Sequence, residues 1–333
     1  MKNSEKVKTY TLIVMLVTLL SCNGFTQENR TPSMVKTFTV DQPGSLDARS
    51  SGGGVKVSTH EQNKVVIQLF IRKNGRMLAP SDPEINDVLD NYNLDIEQNG
   101  SAITAIIEQK SRFHGWNNSG ISLNIIVPRE MSCDVSSSGG GVSASGVKGT
   151  HSFSSSGGGV HLENITGTTK ASSSGGRVTA SNQNGDIHMT SSGGGVTLDD
   201  AYGNVYARSS GGGVHLNNIH GDVDAGSSGG GVGVTGEAGS VRATSSGGPV
   251  RINISGLNKE LYLQSSGGGI DATISNGKNL GLDLDLRADK VNIELRDFSG
   301  SIEKDRVKGT LNGGGIPVYM HSSGGNVNVR FEE

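Results

Sequence analysis

The sequence predicts an all-β protein: a single elongated parallel β-solenoid with about 18 residues and two short strands per coil, capping strands, and one short helix near the N-terminal end. Two observations predict this fold. The tetrapeptide Ser-Ser-Gly-Gly occurs ten times, and a fixed period near 20 residues indicates a stack of similar units. Seven copies repeat at strict intervals of 18 residues, beginning at Ser137, Ser155, Ser173, Ser191, Ser209, Ser227 and Ser245. Apolar residues keep the same period, which a disordered Ser/Gly-rich segment has no reason to do.

The apolar period defines a coil with two strands. Counted from the Val that follows each glycine run (position 0), apolar or small residues recur at positions 2, 5, 9 and 11. Alternation at positions 0 and 2, and again at 9 and 11, is typical of half-buried strands, so neighbouring coils are expected to pair in parallel. About seven to nine such coils are expected, at a spacing of about 4.8 Å. A hexapeptide solenoid would need an aliphatic residue every six positions, and this pattern does not match it.

The Ser-Ser-Gly-Gly segment is interpreted as the corner of each coil. Glycine is expected there because a corner needs positive φ and close approach to the neighbouring coil. By alternation, the first Ser points inward and the second outward. A stacked inward column of serines would hydrogen-bond to the backbone between coils. This is a structural role, and we favour it over a catalytic serine.

The flanks of the repeats are predicted to be β caps, since a solenoid must cover its terminal edges. Strands are expected at 36–40, 55–58 and 65–71, and Asp82 is placed to cap a short helix over 83–91. Asn99-Gly100 between two alternating segments is a strong hairpin signal. The predicted organisation is therefore a signal peptide (1–21), a tether (22–35), an N-terminal β cap region (36–136), regular repeats (137–275) and a C-terminal β cap region (276–333).

The N-terminal segment has the features of an export signal. Lys2, Lys6 and Lys8 precede the apolar run 11–20, which is too short to span a membrane as a helix. The run ends at Cys22 in a pattern that resembles the bacterial lipobox, which implies cleavage before Cys22 and its acylation. Asn23 rather than Asp follows, so the inner-membrane retention signal of enteric bacteria is absent. We expect a lipoprotein of the cell envelope, in the outer membrane, with its body facing either the periplasm or the outside.

The body resembles the bacterial putative-adhesin family of β-strand-repeat proteins, which is related to the toast-rack folds. The resemblance covers about residues 36–330 and depends on three features: the ISLNIIVP strand that leads into the repeats, strand starts such as Gly221-Asp222-Val223, and the Ser-Ser-Gly-Gly corners. It implies a parallel β-solenoid at the cell envelope. It implies little about mechanism.

No catalytic, cofactor-binding or metal-binding residue is assigned from the sequence. No glycine run continues into Gly-Lys-Ser/Thr, and none is followed by the Asp of a calcium-binding repeat. Carboxylates such as Asp222 and Asp224 are interpreted as solvated charges beside Arg208 and Arg242. Three or more carboxylates within about 10 Å in one solvent-facing groove would instead favour an enzyme that cleaves polysaccharide.

Two further residue groups were weighed as sites. Phe113 and Trp116, the latter the single Trp of the chain, are candidates for ligand contact, and we favour a role in plugging the solenoid end. Cys133 is predicted to be a small buried hydrophobe, and with Cys22 acylated no intrachain disulfide can form. A net charge of −3 gives no case for a nucleic-acid partner.

The function predicted from these observations is that of a non-enzymatic cell-envelope lipoprotein, an adhesin or surface scaffold. It would be held on the membrane by a lipid anchor, with a glycan or a matrix protein as partner and no small-molecule cofactor. The alternative is a carbohydrate-active β-helix enzyme acting on polysaccharide. A third candidate, a flat binder of ice or crystal surfaces, would need a regular outward Ser or Thr array, which only the corner serines approach.

Overall fold

The computed structural model describes residues 31–110, 119–275 and 277–332 of the chain. From Pro32 onward these residues form one compact unit. The N-terminal part contains β1 Met34–Thr39, β2 Gly44–Ser50, β3 Val55–His60, β4 Lys64–Lys73, β5 Arg76–Met77, α1 Glu84–Leu89, β6 Tyr92–Asn99, β7 Ala102–Gln109 and β8 Ser119–Pro128. The strands that follow, up to the end of the regular repeats, are β9 Met131–Ser137, β10 Val142–Ser145, β11 Lys148–Ser155, β12 Val160–Ser173, β13 Val178–Asn184, β14 Ile187–Ser191, β15 Val196–Tyr202, β16 Val205–Ser209, β17 Val214–His220, β18 Val223–Ser227, β19 Val232–Glu237, β20 Ser240–Ser245, β21 Val250–Ser255, β22 Glu260–Ser265 and β23 Ile270–Ser275. The C-terminal part contains a 3₁₀ turn, Gly277–Asn279, and β24 Leu282–Arg287, β25 Val291–Ile293, β26 Phe298–Ile302, β27 Arg306–Leu311, β28 Ile316–Ser322 and β29 Val327–Glu332.

The strands form two walls of mostly parallel pairs, and β12 passes from one wall into the other. In the first wall (wall 1), the strands that follow the corners pair from coil to coil, and further strands of the N- and C-terminal parts extend the wall at its two ends. The strand order is β1-β4-β8-β3-β10-β12-β13-β15-β17-β19-β21-β23-β29-β25. In the second wall (wall 2), the strands that precede the corners pair from coil to coil, and further strands again extend the wall at its two ends. The strand order is β6-β7-β2-β9-β11-β12-β14-β16-β18-β20-β22-β28-β24-β27-β26. This arrangement confirms the predicted all-β parallel solenoid with two strands per coil.

The described part of the chain contains ten stacked coils, more than the seven to nine expected. Each of the ten Ser-Ser-Gly-Gly segments joins a wall 2 strand to a wall 1 strand. The coil at Ser50 pairs in register with the coil at Ser137, and the coil at Ser322 with the coil at Ser265. The Ser-Ser-Gly-Gly segments at Ser50 and Ser322 therefore belong to the same stack, although the chain between them and the neighbouring coil forms additional strands.

The core lies between the two walls, at the positions predicted from the sequence. Position 0 is at most 2% exposed in all seven regular coils, and residues at positions 2, 9 and 11 are buried as well. Position 5 is buried in the five coils that begin at positions 142 to 214, one of which holds a polar residue there, Gln183, but it is the exposed Glu237 in the coil that begins at Val232. Small residues such as Ala207 and Ala225 occur at position 11, so a thin core fills without many aromatic residues.

The corner serines form the predicted ladder. The first Ser of each corner is buried, and the second is exposed in every corner except the first, where Ser51 is half-buried. In a representative corner, the Ser173 hydroxyl donates to the carbonyl oxygen of Gly158, one coil earlier, at 2.7 Å. It also accepts the backbone N–H of Gly176 at 2.9 Å. Each buried hydroxyl thereby satisfies two backbone groups that the turn leaves without a strand partner.

The expectation of positive φ at the corner glycines is wrong, whereas close approach is correct. No corner glycine of the described coils lies in the left-handed region. A Cβ on Gly176 would lie 2.5 Å from the backbone nitrogen of Gly159 in the preceding coil. The positive φ values occur instead at the opposite turn, in residues such as Asn182 (53°) and Gly185 (123°). Glycine is needed at the corner because neighbouring coils touch there through bare backbone.

The predicted N-terminal elements are present with small differences at their ends. The helix covers Glu84–Leu89 rather than 83–91, and its buried residues Ile85 and Val88 face the core. The Asp82 carboxylate accepts the backbone N–H of Glu84 at 3.0 Å, as a capping residue does. The hairpin at Asn99-Gly100 joins the antiparallel strands β6 and β7.

The C-terminal part closes the stack with a hairpin and a late coil. β24 pairs in parallel with β28 and antiparallel with β27, which extends wall 2 beyond the last coil. Wall 2 therefore ends in the antiparallel strands β27 and β26. No helix among the described residues has both the length and the hydropathy needed to cross a membrane.

Candidate functional site

The outward face of wall 2 carries a shallow groove of about 440 Å³ that runs across consecutive coils. It lies between two columns of outward side chains, at positions 8 and 10 of the coil. The polar column (position 8) consists of Thr168, Asp186, Asn204, Asp222, Ser240 and Glu260. The planar column (position 10) consists of Lys170, His188, Tyr206, Asp224, Arg242, Tyr262 and Tyr319. Residues aligned in parallel coils lie about 4.8 Å apart, so each column is continuous.

The first half of the planar column is a stack of flat groups. The ring of His188 stacks on the ring of Tyr206, with centroids 4.2 Å apart and planes 14° from parallel. The guanidinium of Arg208 lies 4.4 Å from the centroid of Tyr206. It also donates to the Asp224 carboxylate at 2.7 Å and to the Asp224 carbonyl oxygen at 2.9 Å, in the following coil. Tyr206 is therefore held between His188 on one face and Arg208 on the other.

The second half of the column repeats this arrangement. The guanidinium of Arg242 lies 4.2 Å from the centroid of Tyr262. Tyr262 stacks in turn on Tyr319 of the next coil, at 4.8 Å and 12°. The Tyr262 hydroxyl donates to the side chain of Gln264 at 2.9 Å. Cation–π and ring contacts of this kind stabilise neighbouring coils against one another.

The stacking sets which part of each ring meets solvent. Because the rings stack along the axis of the coils, their faces are covered by neighbours and their edges point outward. The Tyr206 hydroxyl has no hydrogen-bond partner among the described residues. The column thus presents hydroxyl and N–H edges to a ligand, and not ring faces.

The polar column is connected from coil to coil through the backbone. The Asp186 carboxylate accepts the backbone N–H of Asn204 at 2.9 Å, and the Asn204 side-chain oxygen accepts that of Asp222 at 3.4 Å. Asp222 also forms an ion pair with Lys259 at 2.5 Å. These contacts hold the side chains beside the groove while leaving part of each polar group open to solvent.

The charges around the groove are balanced. Four carboxylates, Asp186, Asp222, Asp224 and Glu260, are matched by Lys170, Arg208, Arg242 and Lys259. Burial, followed by the positive charges of Lys170 and Arg208, lowers the pKa of His188 from 6.5, so the ring is neutral at pH 7. The sequence interpretation of these carboxylates as solvated charges is therefore incomplete, since Asp222 and Asp224 are ion-paired with Lys259 and Arg208 from other coils.

Four carboxylates in one groove raise the enzymatic alternative. Asp222 and Asp224 form ion pairs with Lys259 and Arg208, and none of the four carboxylates is buried. Asp186 and Glu260 have no ion-pair partner among the described residues. Those two lie four coils apart, about 19 Å by strand spacing, but Asp222 lies two coils from each of them, about 10 Å, close to the roughly 5–9.5 Å that separates glycosidase carboxylates.

The site residues predicted from the sequence lie outside the described residues. This holds for Cys22, the predicted lipid attachment site, and for Phe113 and Trp116, the candidate ligand contacts. Cys133 is described and is 2% exposed, which confirms that it is buried. Within the described ranges, no group of three His, Cys, Asp or Glu side chains is arranged to hold a metal ion.

Sequence reasoning missed the groove because it followed the inward positions of the coil. The signal was present at position 10, where Lys170, His188, Tyr206, Asp224 and Arg242 recur every 18 residues. Tyr262 and Tyr319 lie off the 18-residue spacing, so their place in this column follows only from the observed strand pairing.

Comparisons with known proteins find similarity in structure only. No protein-family model matches the chain, and no curated protein matches it. Solved structures that it resembles include a putative lipid binding protein from Parabacteroides distasonis, at 11% identity and a TM-score of 0.36, covering 91% of this chain and 98% of that one. A putative adhesin from Parabacteroides merdae gives 10% identity and 0.31, covering 90% and 97%. A putative cell adhesion protein from Clostridium sporogenes gives 13% identity and 0.21, covering 90% and 99%.

Proposed function

We propose that this protein is a non-enzymatic binding protein of the cell envelope, an adhesin or surface scaffold, whose ligand lies in the groove of wall 2. One observation carries the proposal: polar and planar side chains from consecutive coils form a continuous groove on a rigid wall. Solenoids commonly use such extended surfaces to bind partners. The ion-paired carboxylates of the groove favour binding over catalysis.

The proposed location is the outer membrane, reached through a lipid anchor on Cys22. The lipobox-like pattern that ends at Cys22 supports it, because several acyl chains on one cysteine hold a protein stably on a bilayer. Membership of the putative-adhesin β-strand-repeat proteins, related to the toast-rack folds, is part of the same proposal. It is supported by the repeat pattern and by the two-walled parallel stack.

Binding is tested with cells that display the full chain, applied to an array of glycans and matrix proteins. We expect retention above that of cells lacking the protein. Arg242→Ala, in the groove, should reduce retention. Arg251→Ala is the matched control, because Arg251 is exposed on wall 1 and pairs with Asp271. Absence of retention on every spot would contradict the proposed function.

The anchor is tested separately with Cys22→Ala. We expect this variant to leave the membrane fraction and to incorporate no labelled palmitate. If the variant stays in the membrane fraction with its labelling unchanged, the anchor proposal is wrong. That outcome leaves the binding proposal intact, since the groove lies far along the chain from Cys22.

A further inference from the structure

We infer that the groove binds an extended, uncharged polysaccharide that lies along the axis of the coils. The inference rests on the proposed function and names its ligand class. It is carried by the length of the groove, its balanced charges, its hydrogen-bonding edges and its place on a sheet face. Each of these observations excludes a different competing ligand.

The length of the groove favours a polymer. The polar column from Thr168 to Glu260 crosses six coils, or about 24 Å at the spacing of parallel strands. The same types of group recur along it, with hydroxyls at Thr168 and Ser240 and a carboxamide at Asn204. A repeated surface matches a ligand with repeated units, whereas a small ligand needs an enclosed pocket with a few convergent groups.

The charge balance argues against a polyanion or a polycation. An acidic polymer would lie against Asp186, Asp222, Asp224 and Glu260, and a basic one against the matching cations. Two of the carboxylates already have cationic partners within the protein, at 2.7 Å for Asp224 and 2.5 Å for Asp222. Like charges placed together disfavour binding. A neutral ligand avoids that cost.

The edges of the groove fit hydroxyl groups. Sugar hydroxyls both donate and accept, and the groove offers both functions side by side. The Tyr206 hydroxyl has no protein partner among the described residues, and neither has the Asn204 side-chain amide nitrogen. Thr168 is exposed at the same edge. Because the ring faces of Tyr206 are covered by His188 and Arg208, recognition runs through its hydroxyl edge and not through stacking on a sugar ring.

The position of the groove argues against a peptide ligand. A peptide that adds to a sheet pairs with the backbone of an exposed edge strand. The groove instead lies across β12, β14, β16, β18 and β20, each of which is hydrogen-bonded on both sides.

The test measures binding of the full-length protein to defined polymers by calorimetry. The uncharged probes are dextran, mannan and soluble β-glucan; the acidic probes are alginate and heparin. We expect binding to at least one uncharged polymer, with little dependence on salt. Affinity should rise through a series of its oligosaccharides until the chain is as long as the groove.

Two variants remove a single hydroxyl each from the groove, Tyr206→Phe and Thr168→Val. Each should weaken binding about two- to tenfold, the effect of losing one hydrogen bond. Tyr202→Phe is the control, because Tyr202 is 58% exposed and stacks on His220 in the same way at 4.5 Å, but on wall 1. Unchanged thermal unfolding would show that each variant keeps the fold.

Several results would overturn the inference while leaving the proposed function standing. These are binding to alginate or heparin alone with steep salt dependence, binding to matrix proteins alone, and binding to an uncharged polymer that both groove variants leave unchanged. Failure of the array and of every polymer probe would instead remove the proposed function itself. The two proposals can therefore fail separately.

Discussion

The hydroxyl of Ser191 donates a hydrogen bond of 2.8 Å to the carbonyl oxygen of Gly176, one coil earlier in the stack. The Ser191 hydroxyl oxygen also accepts the N–H of Gly194 at 3.0 Å, within its own corner. One buried side chain thus joins two coils and closes a turn. The arrangement recurs from Ser137 to Ser322, including across the places where the chain leaves the stack and returns.

Ser191→Ala is expected to lower the free energy of unfolding by about 1–3 kcal/mol, because it leaves a carbonyl and an N–H without partners. Urea denaturation of the variant measures this change. Ser192→Ala is the control, since Ser192 is exposed at the same corner. It should change stability by less than about 0.5 kcal/mol. Equal effects of the two substitutions would contradict the ladder.

Gly230→Ala is expected to destabilise the protein through a clash between coils. The added Cβ would lie 2.5 Å from the backbone nitrogen of Gly213, and overpacking of this kind costs about 1–3 kcal/mol. Gly233→Ala, in the same coil, would meet only the His215 side chain, at 3.5 Å. We expect that variant to match or exceed the parent in thermal unfolding. A stable Gly230→Ala protein would contradict the close approach at the corner.

Stability is expected to depend on pH through His151. The side chain is 2% exposed, and its Nδ1 atom has no hydrogen-bond partner. Burial lowers the pKa of His151 below its ordinary value of 6.5, although a backbone hydrogen bond to Thr166 opposes the effect. The unfolded chain therefore binds a proton more readily than the folded one. The stabilisation is complete above about pH 6.5 and is lost as the pH falls through the lower folded-state value.

The variant His151→Thr tests this dependence, since Thr169 occupies the same position in the next coil. The melting temperature of the parent should be lower at about pH 5 than at about pH 7.5, which lie on either side of 6.5. This difference should be smaller in the variant. His161→Thr removes an exposed histidine at a different coil position and should leave the difference unchanged. An unaltered difference in His151→Thr would rule out His151 as its source.

Cys133 is expected to be unreactive in the folded protein. It is 2% exposed, and burial raises the pKa of its thiol to about 12, so almost no thiolate forms near neutral pH. In the Cys22→Ala background Cys133 is the single cysteine. Iodoacetamide should label that protein after denaturation and not before. A second variant that adds Ser192→Cys, at an exposed corner position, should be labelled in the folded state.

Much of the coil could be predicted because its signals are local. Alternation places Val196 and Leu198 in the core from their spacing alone, and both are fully buried. The inward and outward serines follow from the same rule. The φ angles of the corner did not follow, because glycine serves both for positive φ and for close approach. Only the neighbouring coil shows that Gly194 is needed for the second reason.

The groove could not be predicted, because its residues come from different coils and meet only when those coils are aligned. Arg208 and Asp224 are separated by 16 residues, and their ion pair depends on how an arginine leans toward the next coil. Tyr262 and Tyr319 meet only because the chain returns to the stack after β24–β27. Side-chain direction and the order of coils both lie outside what a repeat pattern specifies.

The sequence by itself determined the unit of this protein: a coil of two strands, its inward residues and its Ser-Gly corner, all set by neighbours within about one period. Only the tertiary structure decided which units stack on one another. The Ser137 hydroxyl donates to Gly53, 84 residues away in sequence, and that of Ser322 to Gly268, 54 residues away. Any open coil end can accept another coil, since parallel pairing uses backbone groups that every residue carries. Which coils pair is set where the returning chain covers those ends. The same pairing sets which outward residues align in the columns of the groove.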